Sequence, residues 1–221
     1  MKNILHVSAS PRGQAAESYR LSQKIVDLLL QKEPGATVVN RVIGDGSMPH
    51  VDENYAISQG STADVSNDGS MILSEELIRE VERADLLVIS TPMHNLSVPS
   101  SLKAWLDHVI RARRTFNVSR EGKIGTLRDR PVFVAVASGG RFSGERARQP
   151  DFLTPYLTAV LATVGLHDLT FFSVQGTGSG PEATEQTRTR TDEELQAYFA
   201  SFHPASRYVD RLRSPDDLRV L

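Results

Sequence analysis

Strand-like and helix-like segments alternate along this 221-residue chain, and the alternation restricts the fold more than any other feature. Short apolar runs, such as PVFVAVASGG at 131–140, predict strands that are buried on both faces. Between such runs, apolar residues recur at helical spacing, as at Leu21, Ile25 and Leu29. The order βαβαβαβαβα predicts an α/β fold: a doubly wound parallel sheet of five strands, in the order 2-1-3-4-5, with helices on both faces.

The pattern also predicts where each element lies. Strands are expected at 2–8, 36–42, 85–90, 131–140 and 169–174, and helices at 17–32, 71–84, 100–114, 151–164 and 182–200. Two polar stretches interrupt the alternation. Residues 44–69 read as a long loop, and 117–130 as an insertion with turns at Glu121-Gly122 and Gly125. Residues 201–221 show no convincing pattern.

Composition removes several classes of function. The chain has no cysteine, which excludes disulfides, thiolate metal sites and cysteine nucleophiles. The six histidines are scattered without metal-ligand spacing. A net charge of -2 does not indicate a protein that binds nucleic acid. The short apolar start resembles a first strand rather than a signal peptide, and no long apolar window occurs, so we expect a cytoplasmic protein without a transmembrane helix.

Three distinctive loops follow predicted strands: 8–18, 91–99 and 138–144. In a doubly wound sheet, ligands bind at the carboxyl ends of the strands, at the switch point between the first and third strands. All three loops fall at that edge. We therefore expect them to form one binding site.

The first loop, Ser8-Ala9-Ser10-Pro11-Arg12-Gly13, leads into a helix that begins near Ser18. A helix N-terminus that follows a parallel strand favours a phosphate, because free N–H groups and the helix dipole both attract anions. Ser10 and Ser18 supply hydroxyl donors. The loop matches neither G-x-G-x-x-G nor the P-loop, which disfavours those two sites. A purely structural role, with Ser10 turning the chain and Ser18 near the helix start, remains open.

The second loop contains Pro92, Met93, His94, Asn95 and Leu96. Proline stiffens the backbone, and Met93 and Leu96 offer apolar contact to a flat aromatic ring, with backbone donors near Asn95. His94 is the candidate acid. A single loop histidine is more often a surface or packing residue than a catalytic one, so both interpretations stay open.

The third loop begins Ser138-Gly139-Gly140. Two glycines allow the backbone to approach a ligand closely, and the amides and the Ser138 hydroxyl can bond a pyrimidine-like edge. A flexible connection to the next helix explains the glycines equally well. A basic cluster is interpreted as a solvated helix end, since helix C-termini favour cations; it comprises Arg111, Arg113 and Arg114.

Taken together, the loops resemble the FMN-dependent NADH:azoreductase / quinone oxidoreductase family, which has a flavodoxin-like fold. The resemblance is carried by S-x-S-P-R-G with Ser18 eight residues after Ser10, TPMHNLSVPSSLKAWLDHVIRARRTF, ASGGR, DFLTPYLTAVLATVGLHD and the G-x-x-x-GPE stretch at 176–182. These motifs span the chain to about residue 200. The resemblance implies a flavodoxin-like FMN-binding domain at 1–200, followed by a tail of unknown role at 201–221.

The resemblance also implies roles for individual residues. The phosphate positions match Ser10, Glu17 (through its backbone), Ser18 and Tyr19. The loop from Pro92 through Leu96 would flank the isoalloxazine, with His94 and Asn95 tuning it. Residues 138–140 would lie near its pyrimidine edge. The flavin would carry the chemistry, passing two electrons from NADH or NADPH to quinones and azo compounds by a ping-pong mechanism in a homodimer.

The sequence departs from the family pattern at four places. An aromatic residue is usual at His94, and Phe is common at Leu96. The order Ser-Gly-Gly-Arg replaces Ser-Arg-Gly-Gly, and Ala16 replaces a frequent hydroxyl residue. Two other functional classes stay open: a flavodoxin-type electron carrier, and a flavin-binding regulatory or metal-handling protein. Electron carriers of that type are usually shorter and more acidic than this chain.

Overall fold

A computed structural model describes residues 1–60, 69 and 71–203. The strands are β1 (Asn3–Ser8), β2 (Thr37–Val42), β3 (Leu86–Pro92), β4 (Phe116–Ser119), β5 (Gly122–Gly125), β6 (Val132–Ser138) and β7 (Leu169–Gln175). The α-helices are α1 (Glu17–Lys32), α2 (Glu53–Gly60), α3 (Met71–Arg83), α4 (Ser100–Val109), α5 (Thr154–Ala162) and α6 (Pro181–Ser201). The predicted interruption at 44–69 and the tail at 201–221 fall partly outside the described residues.

Five parallel strands form the main sheet in the order β2-β1-β3-β6-β7, which confirms the predicted 2-1-3-4-5 arrangement. β1 pairs with β2 on one side and with β3 on the other, and Ser8 is in register with both Val42 and Ser90. The chain therefore reverses its winding direction beside β1. The carboxyl ends of β1, β3 and β6 meet at the edge where ligands are expected.

Alternating strand residues divide the core between the two faces of the sheet. On one face, Ile4 and Phe133 pack with residues of α1 and α6, such as Leu21 and Phe199. On the other face, the neighbouring strand residues pack against α3, α4 and α5, with Trp105 fully buried among them. Because the central strands are covered on both sides, β6 is almost entirely apolar, whereas β1 also buries the polar side chains of His6 and Ser8.

Two segments to which no helix or strand was assigned contain regular structure. α2 lies within the polar stretch 44–69, and its start is capped by Asp52, whose carboxylate accepts the Tyr55 N–H at 2.8 Å. The stretch 117–130 contains the antiparallel hairpin of β4 and β5, which turns at Arg120-Glu121, whereas the predicted turn residue Gly125 lies in β5. The loop prediction was wrong over α2 because polar residues were taken to exclude a helix, whereas the predicted turn at Glu121-Gly122 overlaps the hairpin turn and the one at Gly125 was wrong.

The basic cluster lies beyond the end of α4, and of its three residues Arg113 is exposed, whereas Arg111 and Arg114 bind a carboxylate. α4 ends at Val109, five residues before the predicted boundary, and Arg111 turns into the protein, where it is 3% exposed. Its guanidinium donates to the Glu75 carboxylate of α3 at 2.6 Å, and Arg114 binds the same carboxylate at 2.9 Å. The interpretation as a solvated helix end was wrong for Arg111 because its partner lies 36 residues upstream, where local periodicity gives no signal.

Across residues 1–60, 69 and 71–203, every helix is too short or too polar to cross a membrane.

Candidate active site

The first loop folds into a compact turn directly after β1. The Ser10 hydroxyl accepts the Arg12 N–H at 3.2 Å, and the Ser10 carbonyl accepts the Gly13 N–H at 3.1 Å. A short 3₁₀ turn, Gly13–Ala15, then leads to α1. Ser10 is buried and turns the chain, which agrees with the structural role left open above. Its hydroxyl lies in the loop that leads to α1.

The start of α1 lacks the features that usually satisfy a helix N-terminus. Ala16 occupies the N-cap and makes no side-chain cap bond. The first N–H groups of a helix have no acceptor within the helix itself. The Ser18 hydroxyl is fully buried and has no hydrogen-bond partner among the described residues. A buried donor beside uncapped N–H groups is the arrangement that an anion such as phosphate would complete.

The neighbours of Ser18 point their side chains elsewhere. The Tyr19 ring lies against the buried His6 of β1, with ring centroids 5.5 Å apart. The Glu17 carboxylate is bound by Arg188 of α6. This orientation agrees with a backbone rather than a side-chain contribution from Glu17 to any bound anion.

The second loop makes a tight, strained turn after β3. His94 and Ser97 pair through both backbone bonds, at 2.9 and 3.0 Å. Between them, Asn95 and Leu96 have positive φ angles of 48° and 71°. Asparagine adopts this region readily, but leucine does so at a cost of about 1 kcal/mol or more. Strain of this kind is concentrated at functional sites, and the turn leaves the His94 and Asn95 side chains exposed.

The third loop contacts the second through a side chain that the sequence did not single out. The Gln149 amide donates to the Ser138 hydroxyl at 3.1 Å and to the Met93 sulfur at 3.1 Å. A Cβ on Gly140 would lie 2.2 Å from Gln149 Oε1, whereas a Cβ on Gly139 would have no neighbour within 4 Å. Gly140 thus makes room for Gln149, and Gly139 alone leaves open space for a ligand.

Backbone contacts join the three loops at one edge of the sheet. The Ala9 N–H donates to the Ser90 carbonyl at 2.9 Å, and the Met93 N–H donates to the Ala137 carbonyl at 2.8 Å. The Ser101 hydroxyl of α4 donates to the Ala9 carbonyl at 3.1 Å. The structure therefore places the three sequence-predicted loops at the same edge of the sheet.

Two further residues at this edge were not predicted. Gly44, after β2, lies so close to the first loop that a Cβ there would be 2.3 Å from the Ser10 carbonyl oxygen. Arg188 reaches the start of α1 from a helix 171 residues away. A glycine after a strand is a weak signal for the first contact, and the sequence contains no signal for the second.

Comparison with known proteins agrees with this architecture. A family model described as a flavodoxin-like fold matches residues 2–199. An FMN-dependent NADH:quinone oxidoreductase of Pseudomonas fluorescens is 46% identical over 202 residues, which are 90% of this chain and 97% of the relative. A second such oxidoreductase, from Burkholderia lata, is 43% identical and covers 85% of this chain and 92% of its own.

This chain belongs to the FMN-dependent NADH:quinone oxidoreductase family. The sequence-based recognition is therefore confirmed at the level of the family. Solved structures with a similar fold support the architecture. An azoreductase from Bacillus anthracis superposes on this chain with a TM-score of 0.77 at 22% sequence identity. The match covers 91% of this chain and 100% of the azoreductase chain. An FMN-dependent NADH-azoreductase of the same species, solved in complex with FMN, superposes with a TM-score of 0.72 at 22% identity. The match covers 90% of this chain and 99% of that azoreductase. At this identity the likeness concerns the fold alone.

Proposed function

We propose that this protein is an FMN-dependent oxidoreductase that uses NADH to reduce quinones and, as a second acceptor class, azo compounds. The observation that carries the proposal is the buried Ser18 hydroxyl, which has no hydrogen-bond partner among the described residues and lies at the start of α1, where Ala16 offers no side-chain cap. It supports a phosphate position at the β1 end of the sheet, and the relatives named above are FMN-dependent NADH:quinone oxidoreductases.

The residues present fit FMN in three groups. We assign the cofactor phosphate to the hydroxyls of Ser10 and Ser18 and to backbone N–H groups from Glu17 to Tyr19. The second loop supplies the wall for the flavin ring, from Pro92 to Leu96. The third loop supplies hydrogen-bonding groups for the pyrimidine edge, from Ser138 to Gly140. Of these, Gly139 gives the closest access, because nothing lies where its side chain would be.

FMN, when bound, supplies the redox chemistry: it accepts two electrons from NADH and passes them to the acceptor, so that NADH, a quinone and one proton yield NAD⁺ and a hydroquinone. The protein contributes binding and orientation. The His94–Ser97 turn carries two exposed polar side chains, His94 and Asn95, which would lie near the bound flavin in this assignment. Neither is required as a nucleophile, and we propose that both tune the site.

We also propose a ping-pong mechanism in a homodimer, in which the donor leaves before the acceptor enters the same face of the site. Residues 1–200 form the FMN-binding domain in this proposal, and 201–221 a tail of unknown role. A cytoplasmic location and NADPH as an alternative donor stay predictions.

Steady-state oxidation of NADH by the FMN-loaded protein with 1,4-benzoquinone tests the proposed activity. We expect continuous turnover and parallel lines in double-reciprocal plots at several quinone concentrations, with NADH preferred over NADPH. A flavodoxin-type carrier or a regulatory protein would bind FMN without such turnover, and that result would refute the enzyme proposal.

A further inference from the structure

The segment that supplies backbone donors to the proposed phosphate site also carries an acidic side chain. Glu17 is the first residue of α1 and directly precedes Ser18. An acidic side chain in the first turn favours the helix, because the N-terminus carries partial positive charge. The same charge disfavours a bound phosphate, because two anionic groups at short range repel each other. The site therefore contains a charge that opposes its proposed ligand unless another group compensates it.

The compensating charge comes from α6. Arg188 donates from Nε to Glu17 Oε2 at 2.9 Å and from Nη2 to Glu17 Oε1, so one guanidinium binds both carboxylate oxygens. Arg20 adds a contact of 3.3 Å from Nε to Oε2. A bidentate guanidinium–carboxylate pair fixes the orientation of the carboxylate and compensates its negative charge. The hydrogen bond from Arg188 is the main reason why the pKa of Glu17 lies below its ordinary value.

The turn that precedes α6 is fixed to the third loop. The Gly178 N–H donates to the Gly139 carbonyl at 3.1 Å, and the Thr177 hydroxyl donates to the Ser138 carbonyl at 3.2 Å. Arg188 lies about two turns into the helix. α6 thus contacts the third loop through its N-terminal turn and the first loop through Arg188.

We propose that Arg188 is a positioning residue for the cofactor phosphate: it neutralises Glu17 and holds that carboxylate toward α6, leaving the N–H groups at the start of α1 to the phosphate. This inference rests on the proposed function. Among the described residues, the carboxylate without Arg188 keeps only the longer contact to Arg20, and its charge opposes the phosphate. The loss affects a flavin that carries a phosphate and spares riboflavin, which is FMN without its phosphate.

Four variants test the proposal: Arg188→Ala, Glu17→Gln, the double variant, and Arg190→Ala as a matched control. Arg190 lies on the same helix and pairs at 3.4 Å with the exposed Glu194. Titration of each apoprotein gives the Kd of FMN and of riboflavin from quenching of flavin fluorescence. We expect Arg188→Ala to weaken FMN binding about tenfold and to change riboflavin binding less than about twofold. The double variant should recover FMN binding to within about threefold, and Arg190→Ala should match the wild type.

The outcomes separate this inference from the proposed function. If the wild type prefers FMN to riboflavin but Arg188→Ala leaves the Kd of FMN unchanged, the role of Arg188 is refuted alone. It is equally refuted if Arg188→Ala weakens both flavins alike, or if removing the Glu17 charge restores nothing, because those results indicate a merely structural helix contact. A wild type that binds no flavin, or binds both equally, refutes the phosphate site itself.

Discussion

Two buried serines on α1, Ser18 and Ser22, differ in whether the hydroxyl has a hydrogen-bond partner among the described residues. The Ser18 hydroxyl has no partner among the described residues, whereas the Ser22 hydroxyl donates to the Tyr19 carbonyl at 2.8 Å and contacts His6 at 2.9 Å. A buried polar group without a partner costs about 1–3 kcal/mol, and a paired one contributes about 1 kcal/mol. Residues of the same type on one helix therefore make opposite contributions to folding in the absence of a ligand.

We expect Ser18→Ala to leave the free energy of unfolding of the apoprotein unchanged or raised, while FMN binds about tenfold more weakly because a hydrogen bond to a charged phosphate is lost. Ser22→Ala should do the reverse, lowering stability by about 1 kcal/mol and sparing FMN affinity. Urea unfolding and flavin titration measure both quantities. A Ser18→Ala protein that is destabilised and binds FMN normally would contradict the assignment.

His94 occupies a position where the family usually has an aromatic residue, and its side chain is exposed beside the strained turn at Asn95 and Leu96. We expect His94→Tyr to shift preference toward larger aromatic acceptors while reduction of the bound flavin by NADH is preserved. Stopped-flow measurement of both half-reactions, with His94→Phe beside it, checks this. If the rate of acceptor reduction falls by more than about 100-fold in His94→Phe but not in His94→Tyr, residue 94 is instead an essential proton donor.

At the scale of elements, the buried ion pairs of Glu75 connect α3 to the segment after α4. Arg114 chiefly, and Arg111 in addition, lower the pKa of Glu75 from 4.5 to about 2. Folding thus favours the deprotonated carboxylate. The resulting stability is complete above pH 4.5 and is lost as the pH falls from there toward 2, where the carboxylate becomes protonated in the folded state as well.

We expect Glu75→Gln to lower the free energy of unfolding at neutral pH by about 3 kcal/mol, because Arg111 is left buried beside a neutral amide. Between pH 4.5 and 2 the variant should lose less stability than the wild type does. Glu76→Gln is the control on the same helix, since that side chain is 56% exposed and pairs with Arg41; it should cost less than about 1 kcal/mol. Parallel pH dependences for Glu75→Gln and the wild type would contradict the assigned role.

Elements with a regular apolar period were predictable from sequence, and contacts between distant segments were not. β6 was placed correctly because its apolar residues form a continuous run, and α1 because its core residues follow a period of 3.6. α4 was predicted too long because Ile110 continues its apolar pattern and the arginines after it were interpreted as a helix end, although the backbone leaves the helix at Ile110. The three loops of the site were found through motif spacing. Gln149 and Arg188 were missed because only the folded chain brings them to the loops.

At the scale of the whole molecule, several apolar side chains are exposed on the described surface, including Ile57, Val118, Ile124 and Phe152. Scattered exposed apolar residues are ordinary, but a homodimer with sites at its interface would cover part of this surface. We expect light scattering of the FMN-loaded protein to give twice the chain mass of 24.3 kDa. A stable, active species of a single chain mass would contradict the proposed dimer.

The identity of the retained flavin tests the assignment of the β1 edge most directly. The protein is incubated with equal concentrations of FMN and FAD, desalted and denatured, and the released flavin is separated by chromatography. The uncapped start of α1 and the Ser18 hydroxyl form a site for one phosphate group, and the first loop lacks a dinucleotide fingerprint. We therefore predict that FMN is released at about one equivalent per chain; release of FAD as the main flavin, or of no flavin at all, would contradict the assignment.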